Sequence, residues 1–306
     1  MVSCIVRRDC KWKKRSGYAK KSETRLLPDR PTDFVQKQFY LKEEDGMLTE
    51  AQLYHFAVHG WVLQENALDE AEGKALKEGM DRLYEAGTST MVHKDTEDIK
   101  NVDNMVNHDQ VFRDWIMHPN ILPVLKQLLG TPPRFECCHS MIKLPHPERA
   151  TKAAELADPG QMGWHRGIRP KYGIVEANNQ SYINTTFLNN ITYLTDVGPE
   201  DGATMVLDGS HRLEAQNWRD IYDPSMVVQL TARAGSVLHF TEALIHTGVP
   251  VRSERTRYTM FYGFTPPWMQ CWPGCAPNRE VIDASEGELK EILGARTGYM
   301  GQYEPE

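Results

Sequence analysis

The sequence predicts a mainly β fold with flanking helices, and three observations support that prediction. Up to about residue 130, apolar residues recur mainly at helical spacing. After Pro133 the chain changes to short runs that are rich in β-branched and aromatic residues and are separated by turn sequences. Because no helical repeat lies between these runs, the pattern favours an antiparallel sandwich or barrel over a parallel sheet with crossover helices.

The first part of the chain has clear helix boundaries. Thr49 carries a hydroxyl suited to a helix N-cap, and Gly60 is suited to end the same helix. Gly130, with Pro132 just beyond it, ends a later helix in the same way. The predicted elements are a helix from 49 to 60, an extended segment at 61–63, and helices over 69–84 and 118–129.

The second part is predicted to consist of strands. The predicted strands are 135–144, 182–195, 204–207, 226–230, 236–240 and 257–264. Turn sequences such as Pro199-Glu200-Asp201-Gly202 and Asp208-Gly209-Ser210 separate them. The run 182–195 carries polar residues on both faces, which is typical either of the interior of a ligand-holding barrel or of a half-exposed strand.

Composition limits the class of protein. A chain of 306 residues with 40% hydrophobic and 25% charged residues is an ordinary soluble globular protein, which excludes disordered, collagenous and coiled-coil chains. No apolar run approaches the roughly 18 residues of a membrane span. The net charge of −7 is uneven, because residues 1–25 hold nine Lys and Arg against Asp9 and Glu23. We interpret residues 1–47 as a basic, poorly ordered extension, with a partner-binding or nucleic-acid-binding arm as the alternative.

The six cysteines do not form the framework of a disulfide-rich protein. Cys137 and Cys138 are adjacent, so they would point to opposite faces of a strand. Cys271 and Cys275 have a zinc-like spacing, but the second pair that such a site needs is missing. The sequence therefore predicts reduced thiols in a cytoplasmic protein.

Two of the eleven histidines lie in an unusual context. His165 follows Trp164 just before a predicted strand, and His246 lies late in the β region. Arg257 comes eleven residues after His246 and opens the last predicted strand. Two histidines in a β-rich domain are more often structural than functional, so this spacing alone does not define a site.

A set of short motifs in a fixed order adds to this pattern. They are Leu48-Thr-Glu-Ala-Gln, Pro119-Asn-Ile-Leu-Pro, Lys143-Leu-Pro, Trp164-His165, Asp208-Gly-Ser-His211, Ala234-Gly-Ser-Val-Leu-His-Phe, His246 and Arg257. Together, from about residue 48 to 263, they resemble the phytanoyl-CoA dioxygenase superfamily of Fe(II)/2-oxoglutarate-dependent enzymes. The resemblance implies a double-stranded β-helix (jelly roll, cupin-like) core with N-terminal helices. It also implies one catalytic domain over 48–306, with helical support at 48–133, the jelly roll at about 134–265 and a lid or packing segment at 266–306.

The resemblance also implies roles for single residues. His165 and His246 would be the imidazole ligands of Fe(II), and Arg257 would pair with the far carboxylate of 2-oxoglutarate, since a guanidinium meets a carboxylate bidentately. Arg255 is the competitor of Arg257 for this role. Lys143 and Asn190 are weaker candidates for the cosubstrate or substrate pocket. Fe(II), 2-oxoglutarate and O2 would be the cofactors.

One position departs from the family pattern. Where the family has Asp two residues after the first His, this chain has Gly167, which offers no ligand atom. This His-x-Gly pattern resembles the 2-oxoglutarate-dependent halogenases, in which chloride takes the vacant position. The resemblance implies chlorination of an unactivated C–H bond through a chloro-iron(IV)-oxo species. Gly167 and Arg166 would form the halide site, with Arg169 as another candidate cation.

Other interpretations stay open at this point. A hydroxylase could use a different carboxylate, with Glu176, Asp196 and Asp201 as candidates, or the protein could have lost catalysis. A cupin-like module that binds a ligand without turnover is a hypothesis from another class. For all of these we expect a small, polar, free-standing ligand such as an amino acid or nucleotide, with no nucleic-acid or membrane partner. The sequence leaves the oligomeric state open.

Overall fold

The computed structural model describes residues 46–88, 90–91, 97–167, 174–177, 180–183, 185–213, 217–269 and 274–295. For 90–91, 174–177, 180–183 and 295 the description covers the backbone alone. The basic extension up to residue 45, Arg169 and the side chain of Glu176 lie outside the described residues. The interpretation of the N-terminal extension therefore stays a prediction.

Six helices and twelve strands are named here in chain order. The helices are α1 (Glu50–His59), α2 (Glu70–Glu85), α3 (Gln110–Ile116), α4 (Leu122–Leu129), α5 (Arg279–Ala284) and α6 (Gly287–Lys290). The first six strands are β1 (Trp61–Gln64), β2 (Thr90–Met91), β3 (Ile99–Asp103), β4 (Arg134–Lys143), β5 (Ile174–Ala177) and β6 (Gln180–Ile183). The last six are β7 (Leu188–Tyr193), β8 (Thr204–Leu207), β9 (Val227–Leu230), β10 (Val237–Thr241), β11 (His246–Thr247) and β12 (Arg257–Thr265).

The strands form two facing antiparallel sheets. The larger has the order β1-β10-β7-β12-β4-β3-β2, and the smaller has the order β11-β8-β9. Strands β5 and β6 form a separate hairpin. This mostly antiparallel arrangement with flanking helices is the cupin or jelly-roll fold that the sequence predicts.

Local sequence determines where the first helices begin and end. Thr49 and Gln52 form a reciprocal capping box at the start of α1, and Gly60 ends that helix in the left-handed region at φ 84°. Asp69 and Glu72 form a second capping box at the start of α2. Both boundaries agree with the sequence-based prediction.

The region predicted as helical support also contributes strands to the larger sheet. β1 pairs with β10, with Val62 opposite His239, and β3 pairs with β4. β1 agrees with the extended segment predicted at 61–63, whereas β3 and helix α3 were not predicted. Both are short, so their own sequence carries little signal, and they are stabilised by pairing at a sheet edge or by packing on the core. The helical layer and the jelly roll therefore share one sheet.

The larger sheet is covered on both faces. Helices pack on one face, where Phe112, Leu125 and Tyr262 belong to a continuous apolar core. The smaller sheet packs on the other face, where a second core includes Ile191 and Phe240. Because successive side chains on a strand alternate between faces, residues on the second face alone can line a space between the sheets.

The described part of the C-terminal segment packs against this scaffold. Ile282, Ile292 and Leu293 belong to the helix-side core, and the turn at Glu291–Ala295 contacts β4. These three residues pack against the core, and the choice between a lid and a packing role for the whole segment stays a prediction. Among the described residues, no helix combines the length and the apolar character that a membrane crossing requires.

Candidate active site

A cavity of about 330 Å³ lies between the two sheets. This volume is at the small end of the range typical of ligand sites. Strands β4, β7, β10 and β12 of the larger sheet and β8 and β11 of the smaller sheet contribute to its wall. The polar and ionisable residues that line it include Lys143, His165, Asn189, Glu242, His246 and Arg257.

His165 and His246 are joined directly through their backbones. The His165 N–H donates to the His246 carbonyl at 3.0 Å, and the His246 N–H donates to the His165 carbonyl at 2.9 Å. This antiparallel bridge holds the two imidazole centroids 4.4 Å apart. The structure therefore brings together the two predicted metal ligands, which are 81 positions apart in the sequence.

Each imidazole has its Nδ1 engaged by a backbone carbonyl, which leaves Nε2 available to a metal. Nδ1 of His165 lies 2.9 Å from the Gly163 carbonyl, and Nδ1 of His246 lies 2.8 Å from the Leu244 carbonyl. A carbonyl accepts only, so each Nδ1 carries the proton and each Nε2 keeps its lone pair. Desolvation, and secondarily His246, lowers the pKa of His165. Burial lowers the pKa of His246 to about 4, so this imidazole is neutral at pH 7.

Two cations lie together at another part of the cavity wall. Arg257 and Lys143 are directly opposite each other in the β12–β4 register, and both are buried. Arg257 donates to the Gly202 carbonyl, and the Lys143 ammonium donates to the Val249 carbonyl at 3.1 Å. Burial, and then repulsion by Arg257, lowers the pKa of Lys143 to about 7.

These cations have no carboxylate at ion-pair distance among the described residues. Asp98 attracts Lys143 from farther away. Within the same described residues, the buried Nε of Arg257 has no hydrogen-bond partner. Uncompensated buried charge is costly, so a dianionic ligand would stabilise this end of the cavity. The residues present therefore fit both a ferrous ion at the imidazoles and 2-oxoglutarate at the cations.

The structure separates Arg257 from its competitor. Arg255 forms an ion pair with Asp201, and its side chain is 63% exposed. It is not among the residues that line the cavity. Asp201 is thereby engaged with Arg255 and Ser253, and Asp196 accepts the Ala234 N–H. Two of the three carboxylates that were candidates for an altered metal site are thus occupied by other partners, and the side chain of the third, Glu176, lies outside the described residues.

Two other predicted site residues point elsewhere. Asn190 is fully buried on the helix side of β7, where it donates to the Tyr262 carbonyl and its Oδ1 lies 2.6 Å from Nδ1 of His239. Its neighbour Asn189 lines the cavity instead, so the prediction missed the strand register by one residue. Arg166 donates to the carbonyls of Ser210 and Leu213 and does not line the cavity.

Glu242 is the site residue that sequence reasoning missed. It lies half-buried in the cavity wall, four residues before His246. Asn189 donates to its carboxylate, and so does the Gly167 N–H. Desolvation raises its pKa to about 7, against the opposing effects of His165, Gly167 and Asn189. The available signal was an acidic residue between two apolar segments, in Thr241-Glu242-Ala243-Leu244.

Gly167 lies directly against this carboxylate. A Cβ atom on Gly167 would be 2.7 Å from Cγ and 2.9 Å from Cδ of Glu242. Both distances are shorter than ordinary contacts, so any larger side chain at 167 would displace Glu242. Throughout the described ranges, no three His, Cys, Asp or Glu side chains are gathered closely enough to hold a metal ion.

Residues 56–259 match the phytanoyl-CoA dioxygenase (PhyH) family. Because this match spans more than half of the sequence, the chain belongs to that family of Fe(II)/2-oxoglutarate-dependent oxygenases. The chain is also similar to dioxygenase af480 of Aspergillus fumigatus, with 25% identity over 298 residues that cover 92% of this chain and 86% of that protein.

Solved structures share the fold at low sequence identity. HygX from Streptomyces hygroscopicus, with nickel and 2-oxoglutarate bound, has a TM-score of 0.57 and 17% identity over 74% of this chain and 90% of its own. The carbocyclase SnoK from nogalamycin biosynthesis has a TM-score of 0.58 and 19% identity over 79% and 95%. The epimerase SnoN from the same biosynthesis has a TM-score of 0.56 and 17% identity over 72% and 81%.

Proposed function

We propose that this chain oxidises a C–H bond of a small polar metabolite, with His165 and His246 holding Fe(II) and with Arg257 and Lys143 holding 2-oxoglutarate. The observation that carries the proposal is the pairing, within one cavity, of two imidazoles whose Nδ1 atoms are engaged by carbonyls with two buried cations that have no carboxylate at ion-pair distance among the described residues. A surface or packing role for the histidines would not require either feature.

Ferrous iron, when bound, supplies the activation of O2 and couples the decarboxylation of 2-oxoglutarate to substrate oxidation. The chain's own residues bind and orient the reactants. The carbonyls of Gly163 and Leu244 keep both histidines in the ligating tautomer. Arg257 and Lys143 neutralise the distal carboxylate, and the apolar inter-sheet core around Phe240 excludes water.

Oxygen transfer is the outcome that the geometry supports best. In that reaction the C–H substrate, 2-oxoglutarate and O2 give an alcohol, succinate and CO2. The space that Gly167 would leave for a halide is filled by the side chain of Glu242. A halide would therefore have to displace that side chain. Hydroxylation or a related oxidation needs no such displacement and agrees with the shape of the site.

Halogenation is the second candidate, and Gly167 is the observation that favours it. This position offers no ligand atom, so chloride would be the transferable anion at the metal. The reaction would consume the substrate C–H, 2-oxoglutarate, O2, chloride and a proton, and it would give the C–Cl product, succinate, CO2 and water. It requires Glu242 to leave the space next to Gly167.

The substrate class follows from the cavity and the comparisons. HygX is known with hygromycin B bound, and SnoN is known with an α-ketoglutarate and nogalamycin RO complex. We infer a small polar biosynthetic intermediate for this chain, since Asn189, His139 and Glu136 line the cavity beside the apolar residues. An amino acid or a nucleotide fits that description.

Two measurements test the proposal. Anaerobic addition of Fe(II) and 2-oxoglutarate should produce a visible metal-to-ligand charge-transfer band, and air should then yield succinate. Absence of both the band and succinate would reject the enzyme and leave a binding module. Mass spectrometry of products formed in chloride and in bromide separates the two outcomes, since a halogenated product supports the second candidate and an oxygenated product supports the first.

A further inference from the structure

We propose that Glu242 supplies the metal-ligating carboxylate that position 167 lacks. The inference rests on the proposed function, because it assumes that His165 and His246 hold the metal. It goes beyond that function by naming a carboxylate ligand. The family pattern places this ligand in the segment of the first histidine, whereas Glu242 lies in the segment of the second.

The first argument is spatial. Any side chain at position 167 would begin where Glu242 now lies, because a Cβ there would be 2.9 Å from the carboxylate carbon of Glu242. An aspartate at 167 would therefore place its carboxylate in the same part of the cavity. Glu242 fills the volume that glycine frees, and it fills it with the same functional group.

The second argument concerns how the side chain is held. The Glu242 N–H donates to the Phe187 carbonyl at 2.9 Å, which fixes the start of the side chain. Asn189 and the Gly167 N–H then direct the carboxylate toward the side of His165. A carboxylate has about four lone-pair positions, so these two donors leave acceptor capacity for a cation.

The third argument concerns charge. Within the described chain, Glu242 forms no ion pair with a Lys, an Arg or a His. Its donors are two neutral amides, and its neighbour His165 is a neutral ligand. A metal cation would stabilise the charged form of a half-buried carboxylate of this kind.

The fourth argument is the path of the chain. A tight turn, closed by the Leu244 N–H on the Thr241 carbonyl at 2.9 Å, connects β10 to β11. Glu242 begins this turn and His246 follows it. One turn therefore presents two candidate ligands. Since the three side chains are not gathered around a point, metal binding would draw the carboxylate inward.

Metal binding without turnover tests the inference. Co(II) is titrated anaerobically into the full chain, and affinity is measured by calorimetry and by visible absorption. We expect Glu242→Gln to weaken Co(II) binding by about 10- to 100-fold and to change the absorption spectrum. The matched control is Glu254→Gln, which removes an exposed carboxylate paired with Arg149 and should leave both readouts unchanged.

A second variant, in which the carboxylate is moved to position 167, tests for recovery of Co(II) affinity and not only for its loss. Gly167→Asp combined with Glu242→Ala returns the carboxylate to the position that the family uses, and we expect it to recover Co(II) affinity to within about tenfold of the original chain. Circular dichroism and thermal melting establish that each variant is folded. Recovery in the double variant together with loss in Glu242→Gln supports the inference.

Three outcomes separate failure of this inference from failure of the proposed function. If Glu242→Gln binds Co(II) as tightly as the original chain while His246→Ala does not bind it, Glu242 is not a ligand and the proposed function survives. If bromide shifts the Co(II) spectrum of the original chain with 2-oxoglutarate bound, and Glu242→Gln leaves that shift unchanged, halide binds the metal independently of Glu242 and the inference is wrong. If the original chain binds neither Co(II) nor 2-oxoglutarate, the proposed function itself is wrong.

Discussion

The two ends of the cavity are built in different ways. Lys143 and Arg257 lie opposite each other on β4 and β12, two long strands paired over nine positions, so the scaffold fixes the cationic end. The proposed metal end combines His165 on an isolated bridge, Gly167 next to it, and Glu242 in a turn. Side-chain positions at the cationic end are therefore coupled to sheet register, whereas those at the proposed metal end depend on a bridge and a turn. If Glu242 is the carboxylate ligand that we propose, this difference would let it serve in place of a carboxylate at position 167.

The largest effect on 2-oxoglutarate binding should come from removing the charge of Arg257 at the cationic end of the cavity. We expect Arg257→Met to raise the Kd for 2-oxoglutarate by about 100-fold, equivalent to roughly 3 kcal/mol, because the guanidinium is the buried partner of a carboxylate. Calorimetry with Co(II)-loaded protein measures it. Co(II) affinity in the absence of 2-oxoglutarate should stay within about threefold. An unchanged Kd for 2-oxoglutarate would show that the two cations bind something else.

Lys143 should make the same end sensitive to pH. Its pKa is about 7 without ligand, so above pH 7 it is neutral and must take up a proton when the dianion binds. The Kd for 2-oxoglutarate is therefore expected to rise toward tenfold per pH unit above 7. Lys143→Arg should flatten this dependence, since an arginine stays charged. Calorimetry between pH 6.5 and 9 in two buffers measures the proton uptake, and identical profiles for the two proteins would contradict the assignment.

Lys143 should also make the stability of the ligand-free protein depend on pH, but in the opposite direction to 2-oxoglutarate binding. The folded-state pKa of Lys143 lies below its ordinary value of 10.5, so between about pH 7 and 10.5 the unfolded chain binds more protons. This group alone therefore makes stability rise with pH across that window. Urea unfolding at pH 7 and pH 9 should show a smaller gain in the Lys143→Arg variant. An equal gain in both proteins would assign the pH dependence to other groups.

Asn190 should affect stability and leave the cavity unchanged. Asn190→Ala removes the partner of His239 and the donor to the Tyr262 carbonyl inside the sheet, and we expect a loss of about 1–3 kcal/mol in the free energy of unfolding. Urea denaturation measures it. The Kd for 2-oxoglutarate should stay within about twofold, and a large increase would place Asn190 in the pocket as the sequence suggested.

The smallest effect should come from Arg255. Its exposed guanidinium pairs with Asp201, which also accepts hydrogen bonds from Ser253 and the Gly198 N–H. We expect Arg255→Ala to cost about 0–1 kcal/mol in stability and to change 2-oxoglutarate binding by less than twofold. A loss of binding comparable with that of the Arg257 variant would reverse the choice between the two arginines.

Sequence reasoning recovered the parts of the fold that depend on local chemistry. The cap residues Thr49 and Gly60 and the strand at Thr204–Leu207 agree with the structure because turns, caps and alternation act over a few residues. Helix α3 and strands β2 and β3 were missed. These pieces are short, and a sheet edge or a core surface distant in sequence determines them.

The site residues divide in the same way, into those that motifs in the sequence predict and those that only the fold brings together. His165, His246, Lys143 and Arg257 were predicted from motif order, and the structure gathers all four at one cavity. Glu242 was not predicted, because the gap at 167 and the carboxylate that fills it meet only through the fold. Asn190 was placed on the wrong side of β7 since alternation predicts two faces but does not say which one faces the cavity.

The reciprocal backbone bridge between His165 and His246 has a consequence for the handling of this protein. The spacing of the two imidazoles is established by peptide hydrogen bonds during folding, so an arriving ion has little conformational entropy to remove from them. Small zinc domains, by contrast, unfold when their metal is withdrawn. Here a chelator should leave a folded apoprotein that can be reloaded with a chosen metal.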